Sequence, residues 1–167
     1  MPVLTHDEIK KEIEKGTLTF SPPISDDQIS VASVDLHLAP EFRVFEKGTR
    51  QLDLVEETNY MDCTREVLSD SLFVKPGETV LGVTTEIIGI PSTMCGWLEG
   101  RSRFARLGLL IHISAGFIQP GVANRQVLEI TNLSPNTLVL HAGERLCQII
   151  FQRCEGEATY SGRFVSQ

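Results

Sequence analysis

The sequence predicts an all-β domain, a sandwich or a barrel. Its 167 residues suffice for one domain with a sizeable core. Short stretches rich in Val, Ile and Thr alternate with Gly- and Pro-containing turns along most of the chain. Helical signals are confined to the N-terminus and to one brief segment near Ser102. No internal repeat and no linker divides the chain, so residues 1–167 read as a single domain, with 155–167 as a polar tail.

Thr5-His6-Asp7-Glu8 has the spacing of a capping box, with Thr5 as cap and Glu8 three residues on. Ile9 and Ile13 then share one face of a short helix that Gly16 ends. Ser21-Pro22-Pro23 marks a turn. Over residues 34–38 apolar side chains alternate with Asp35 and His37, which predicts a strand, and 42–45 predicts a second. Residues 46–70 are polar and irregular and read as a long excursion. A turn at Lys75-Pro76-Gly77-Glu78 precedes strands at 79–90, closed by Pro91, and at 94–98. Ser102 is placed to cap a one- to two-turn helix that Gly108 ends. Residues 109–113, 127–131, 137–140 and 146–151 are the remaining strands. From Cys154 onward the chain turns polar and small, as an exposed tail does.

The net charge of −7 gives the chain as a whole no attraction for nucleic acid or an anionic membrane. Any phosphate binding must therefore be local. No apolar run approaches the ~20 residues of a membrane span, and the N-terminus lacks the apolar stretch of a secretory signal. A cytoplasmic protein is expected. The four cysteines, Cys63, Cys95, Cys147 and Cys154, form no CxxC pair and read as free buried thiols rather than a zinc site.

The chemistry concentrates between Trp97 and Asn132. Arg101, Arg103 and Arg106 fall within six residues, at a strand-to-helix turn flanked by Gly100. Free N–H groups at a helix start and bidentate guanidinium groups both favour phosphate oxygens. Ser102 adds a hydroxyl and a backbone donor. The alternative is a solvated turn whose arginines pair with acids such as Glu99. Glu129 stands alone in the apolar run Val127-Leu128-Glu129-Ile130. A period of two puts Val127 and Glu129 on one face, and Leu128 and Ile130 on the other. If that face is covered, desolvation should raise the carboxyl pKa and suit it to proton transfer near neutral pH. The alternatives are a salt bridge to Arg106 or Arg125, or a wet strand face. Ser114-Ala115-Gly116 has no bulk, so a flat ring could approach its backbone, or it is a plain turn. His112, between Ile111 and Ile113, reads as a structural histidine. His6-Asp7-Glu8 matches half of the zinc-deaminase pattern, but the P-C-x-x-C half is missing.

Taken together, GRSRFARLGLLIHISAGFIQPG followed by VLEI closely resembles the dCTP deaminases, trimeric relatives of the dUTPases. The resemblance is densest between Trp97 and Phe151. It extends to Ala32-Ser33-Val34-Asp35-Leu36 and to the terminal Tyr160-Ser161-Gly162-Arg163-Phe164-Val165-Ser166-Gln167, which looks like the family's C-terminal arm. It implies a distorted β-barrel of jelly-roll, dUTPase-like type, a homotrimer with sites shared between subunits, and Mg²⁺ carried with the triphosphate and no zinc. It also implies roles. Arg101, Ser102, Arg103, Phe104, Ala105 and Arg106 would bind phosphates and help fix base and water. Glu129 would be the acid/base. Val127 and Leu128 would meet the base through their backbone, and Ala115 would offer a carbonyl near the attacked carbon. Gln148 matches a nucleotide-contacting glutamine, and Tyr160, Arg163 and Gln167 match the arm that closes over the phosphates. The chain departs from the family where Gln119, a sugar contact, replaces Asp. Further departures are Val122 for an aromatic, Asn124 for Gly, Arg103 for a small residue, and Arg163 and Phe164 for Lys and Tyr.

The expected reaction is hydrolytic deamination of dCTP to dUTP and ammonia, with Glu129, Ser102, Arg106 and the Ala115 carbonyl at its centre. Two rivals stand beside it. One is a dUTP diphosphatase, or an enzyme doing both steps to dUMP; the Ala115-Gly116-Phe117 turn and Gln148 resemble the bifunctional members, and Gln119 counts against a full dUTPase-type site. The other is a non-catalytic nucleotide-binding trimer, which the altered 119–124 stretch favours and Glu129 opposes.

Overall fold

The computed structural model describes residues 2–48, 51–111 and 114–164. The N-terminal pattern forms helix α1 (His6–Glu14), followed by strand β1 (Thr19–Ser21) and a 3-10 turn over Asp26–Gln28. Strands β2 (Val34–His37) and β3 (Glu41–Phe45) come next, then a second 3-10 turn over Tyr60–Asp62 and strands β4 (Thr64–Leu68) and β5 (Ser71–Val74). The two long strands β6 (Thr79–Gly89) and β7 (Met94–Gly100) precede helix α2 (Ser102–Ala105). The rest is strand: β8 (Leu109–Ile111), β9 (Phe117–Ile118), β10 (Ala123–Asn132), β11 (Leu138–His141) and β12 (Arg145–Arg153).

Strand β6 is the spine, since its run of Val, Thr and Ile fits a pleated, two-sided surface. It pairs antiparallel with β3, β10 and β1 in the order β4-β3-β6-β10-β8, with β1 at its far end. A second antiparallel sheet runs β2-β12-β7-β9, and β11 pairs with β5. Among the described residues the sheets do not close into one continuous barrel, and the chain is mostly strand with two α-helices. The core lies between the two larger sheets: Leu36, Leu38, Phe42, Ile88, Leu98, Leu128, Ile130, Ile149 and Phe151 are all buried. Close packing explains Gly82, where a Cβ would come within 2.9 Å of Leu38 Cδ1.

Several boundaries correct the sequence expectations. Thr5 precedes α1 but makes no side-chain cap bond. Glu8 pairs instead with Lys11 at 2.6 Å and Arg153 at 3.5 Å, so nearby cations outcompete the reciprocal box. A reach-back contact forms further on, where Gln28 Oε1 accepts from Ser25 N at 3.0 Å. Arg101, not Ser102, is the N-cap of α2, and Ser102 is its first helical residue. Gly108 ends that turn as expected, with φ +88°. Part of the irregular excursion folds as β4 against β3, and β1, β5 and β9 were not foreseen. The strand expected over 109–113 is observed to Ile111, and His112 and Ile113 lie outside the described residues. Among the described residues no helix is long and apolar enough to cross a membrane.

Candidate active site

The alternation read in the sequence around Glu129 holds on β10. Leu128 and Ile130 are fully buried, while Val127 and Glu129 face the other way, half-exposed. A register shift upstream sets this presentation. Arg125 pairs with Ile87 of β6 but Val127 pairs with Val83, so β6 carries two extra residues around Thr84–Glu86. Such a bulge bends a strand and re-aims its side chains. Its polar atoms are satisfied locally. Thr84 Oγ1 accepts from Gln126 N at 2.9 Å and donates to the Glu86 carbonyl at 2.9 Å. Arg125 Nε donates to the Thr84 carbonyl at 2.6 Å, and its two terminal nitrogens reach Glu41 at 2.9 and 3.3 Å. That guanidinium holds the Glu41 carboxyl below its ordinary range. Arg125 is thus committed to Glu41, which removes one of the partners considered for Glu129.

Glu129 looks into a cavity of about 510 Å³, and its Oε2 atom is shielded from solvent. Aromatic rings of Phe45, Tyr60, Phe117, Tyr160 and Phe164 form much of the wall, with Leu81, Ile118, Val122 and Val127. Ala115 and three carboxamides, Gln119, Asn124 and Gln126, complete it. Asn124 and Gln126 are each 5% exposed and bonded to one another, Gln126 Nε2 donating to Asn124 Oδ1 at 2.6 Å. A largely apolar cleft with a few convergent polar groups and one acid is the usual form of a small-molecule site.

A second polar cluster lies where β2, β7 and β12 meet. Asp35, buried on β2, holds Arg101 at 2.8 Å, and Arg101 also donates to the Arg145 carbonyl at 2.7 Å. Opposite Asp35 in the ladder, Gln148 accepts from Ser33 Oγ at 2.7 Å and donates to the Gly100 carbonyl at 3.1 Å. Neighbouring Cys147 is fully buried, and that burial pushes its thiol above the ordinary range, with Glu86 and Asp35 adding to the effect. Burial and the adjacent Cys154 thiol likewise raise Cys95, to about 11. All four cysteines are free, Cys95 and Cys147 buried, Cys63 and Cys154 half-buried.

The expected site residues therefore divide. Ala115, Gln119, Val127, Glu129 and Tyr160 share the cavity. Leu128 points into the core, leaving only its backbone for a ligand. Arg101 and Gln148 belong to the second cluster. Ser102, Arg103, Ala105 and Arg106 are exposed on the α2 turn, and none lines the cavity. Phe104 packs on the core and, with Leu107, Leu138 and Leu146, borders a separate groove of about 300 Å³. Arg163 donates to the carbonyls of Glu56 at 2.6 Å and Thr58 at 3.4 Å. Gln167 lies outside the described residues. Among the described residues, no group of three or more His, Cys, Asp or Glu side chains could hold a metal ion.

The family model described as dCTP deaminase-like matches residues 3–154. The chain belongs to that family. It is 37% identical to a dCTP deaminase of Shewanella amazonensis over 92% of this chain and 84% of that one. It is 32% identical to a dUMP-forming dCTP deaminase of Methanobrevibacter smithii over 91% and 80%. A 2'-deoxycytidine 5'-triphosphate deaminase structure from Agrobacterium tumefaciens matches the fold, with TM-score 0.71 and 21% identity. That match spans 92% of this chain and 48% of the other.

The cavity and the second cluster also take in residues that the sequence reading assigned to no site: Ser33, Asp35, Phe45, Tyr60, Asn124, Gln126 and Phe164. Asp35 had a signal, a carboxylate inside an alternating apolar strand, as at Glu129. Phe45 and Tyr60 had none: Phe45 closes β3, and Tyr60 joins it at the cavity because the chain returns to pair β4 with β3.

Proposed function

We propose that this protein is a cytoplasmic dCTP deaminase that releases dUTP and ammonia, with the cavity around Glu129 holding the nucleoside. The observation that carries the reading is one carboxylate, Glu129, turned into a ring-lined cleft in a chain of the dCTP deaminase-like family. The aromatic walls suit a flat base and a sugar, and the backbone of Val127 and Leu128 can pair with the base edge. Water adds to the amine-bearing ring carbon. Glu129 accepts the proton from that water, delivers it to the ring, and a second transfer lets the amine leave as ammonia. The Ala115 carbonyl and Ser102 hold the water, and Arg106 orients Glu129.

Ser102 and Arg106 do not line the cavity of their own chain. A homotrimer, in which α2 of one subunit reaches the Glu129 cavity of the next, would complete the site. Arg101, fixed by Asp35, and Gln148 would meet the phosphates, with Arg103, Phe104 and Ala105 beside them. Gln119 would bond the sugar, and Tyr160, Arg163 and Gln167 belong to the arm. Magnesium would enter as part of the Mg²⁺–triphosphate substrate, and no catalytic step is assigned to it. Nucleic acid and membrane are not partners in this reading.

A second reading, deamination followed by diphosphate release to dUMP, is favoured by the similarity to the M. smithii relative. Incubating the protein with dCTP and Mg²⁺ and resolving dCTP, dUTP and dUMP chromatographically tests both. Accumulating dUTP supports the first reading, dUMP without free dUTP the second. Unchanged dCTP would reject both.

A further inference from the structure

We propose that Asn124 is a positioning residue that fastens the C-terminal arm over the cavity, so that one buried carboxamide governs how well the nucleotide is retained. This rests on the nucleotide reading of that cavity.

The arm is held in two unequal parts. Residues 158–160 are tied by backbone bonds, Ala158 N to the Ser92 carbonyl at 3.0 Å and Tyr160 N to the Pro120 carbonyl at 2.9 Å. Close approach reinforces them. Gly121 has φ +78°, and a Cβ there would come within 2.7 Å of Thr159 Cγ2. Over residues 161–164 the attachments are side-chain bonds. On one flank Arg163 donates to the Glu56 and Thr58 carbonyls of the excursion. On the other, Asn124 Nδ2 donates to the Phe164 carbonyl at 2.9 Å.

Asn124 is prepared for this task. Its Oδ1 accepts from Gln126 Nε2 at 2.6 Å, which leaves its NH₂ facing the arm. Gln126 is in turn anchored by its backbone N–H on Thr84 Oγ1 at 2.9 Å, inside the β6 bulge. A chain of bonds therefore runs from the bulge to the arm. What it fastens matters to the cavity, because Tyr160 and Phe164 both form part of its wall. A neutral hydrogen bond is modest in net strength, which suits a wall that must open on each turnover.

The test is Asn124→Asp in the full chain and in a chain ending at residue 159. The aspartate keeps the shape and still accepts from Gln126, but cannot donate to the Phe164 carbonyl. Hydrogen exchange over residues 160–164 should quicken by about three- to tenfold, the worth of one neutral hydrogen bond. KM for dCTP should rise by about the same factor, with kcat changed by less than about twofold. In the shortened chain the substitution should leave KM unaltered, as coupled residues require. Asn124→Ala, which is smaller and has no side-chain donor, should reproduce the pattern if Asn124→Asp fails to fold. Unchanged exchange in the arm overturns the proposal. So does a KM effect that persists undiminished in the shortened chain, which would make Asn124 a direct ligand contact. If the protein does not turn over dCTP, the exchange measurement still decides whether Asn124 holds the arm.

Discussion

Glu129→Gln separates chemistry from architecture at a single atom. The amide keeps size and hydrogen-bonding reach, so melting temperature and dCTP affinity should stay close to wild type. The ability to take a proton from water and return it is lost, and deamination should fall by ~10²–10⁴-fold. Ammonia release, affinity and melting temperature measured on one preparation check this. A folded variant retaining a tenth of the rate would remove Glu129 from the proton transfers. Arg101→Ala has two consequences that can be told apart. It strips the buried Asp35 of its cation, which costs about 3–5 kcal/mol of stability when a buried pair loses one partner. It should also weaken triphosphate binding more than monophosphate binding, by about 1.5–3 kcal/mol. Adding Asp35→Asn should restore much of the melting temperature without restoring triphosphate affinity. If both recover together, Arg101 serves the fold alone.

At the scale of elements, α1 is clamped to β12 by an ion pair, Arg153 reaching buried Glu12 at 3.0 Å. Hydrogen bonding from Arg153, with Lys15 adding to it, holds the Glu12 carboxyl below its ordinary value. A depressed carboxylate contributes stability above its unfolded pKa of about 4.5, and that contribution is lost as pH falls through the lower folded value. Glu12→Gln should lower the melting temperature at pH 7 and flatten its decline below pH 4.5, since the titrating group is gone. Equal acid slopes in both chains would contradict the linkage. The arm is the second element with a clear expectation. Removing residues 160–167 should reduce turnover while leaving the melting temperature within a few degrees, because Phe164 is surface-exposed and, among the described residues of the segment, Tyr160 alone packs on the core cluster.

These elements also show how much could be read beforehand. Strands with a β-branched run or strict alternation, β6, β10 and β12, were legible from their own residues, and so was the face on which Glu129 stands. The Trp97–Phe151 motif likewise pointed to the family. Strands β1, β4, β5 and β9 were not legible. They are short, and their pairing is imposed by neighbours distant in sequence, as β4 is by β3. Asn124 read only as a departure from the family, since its bond to Phe164 joins residues 40 apart in sequence. The Arg101–Asp35 pair was hidden for the same reason, being a contact between β2 and the N-cap of α2, which the sequence separates widely.

For the whole molecule, no residue of the Arg101–Arg106 turn lines the Glu129 cavity of its own chain. It also exposes large apolar side chains, among them Trp97, Leu107, Phe117 and Leu133. Of these, Trp97 and Phe117 adjoin, with ring centroids 4.9 Å apart, and adjoining exposed apolar side chains suit a covered interface. The proposed trimer accounts for both facts, and light scattering should give three times the mass of the chain. Subunit mixing tests the central claim most directly. Glu129→Gln and Arg106→Ala chains, each nearly inactive alone, are unfolded together, refolded and assayed for deamination of dCTP. If each site takes Glu129 from one subunit and Arg106 from its neighbour, random assembly restores about one quarter of the wild-type activity. Mixed trimers, verified by mass, that show no activity above the two separate variants would place the whole site within one chain and contradict the account.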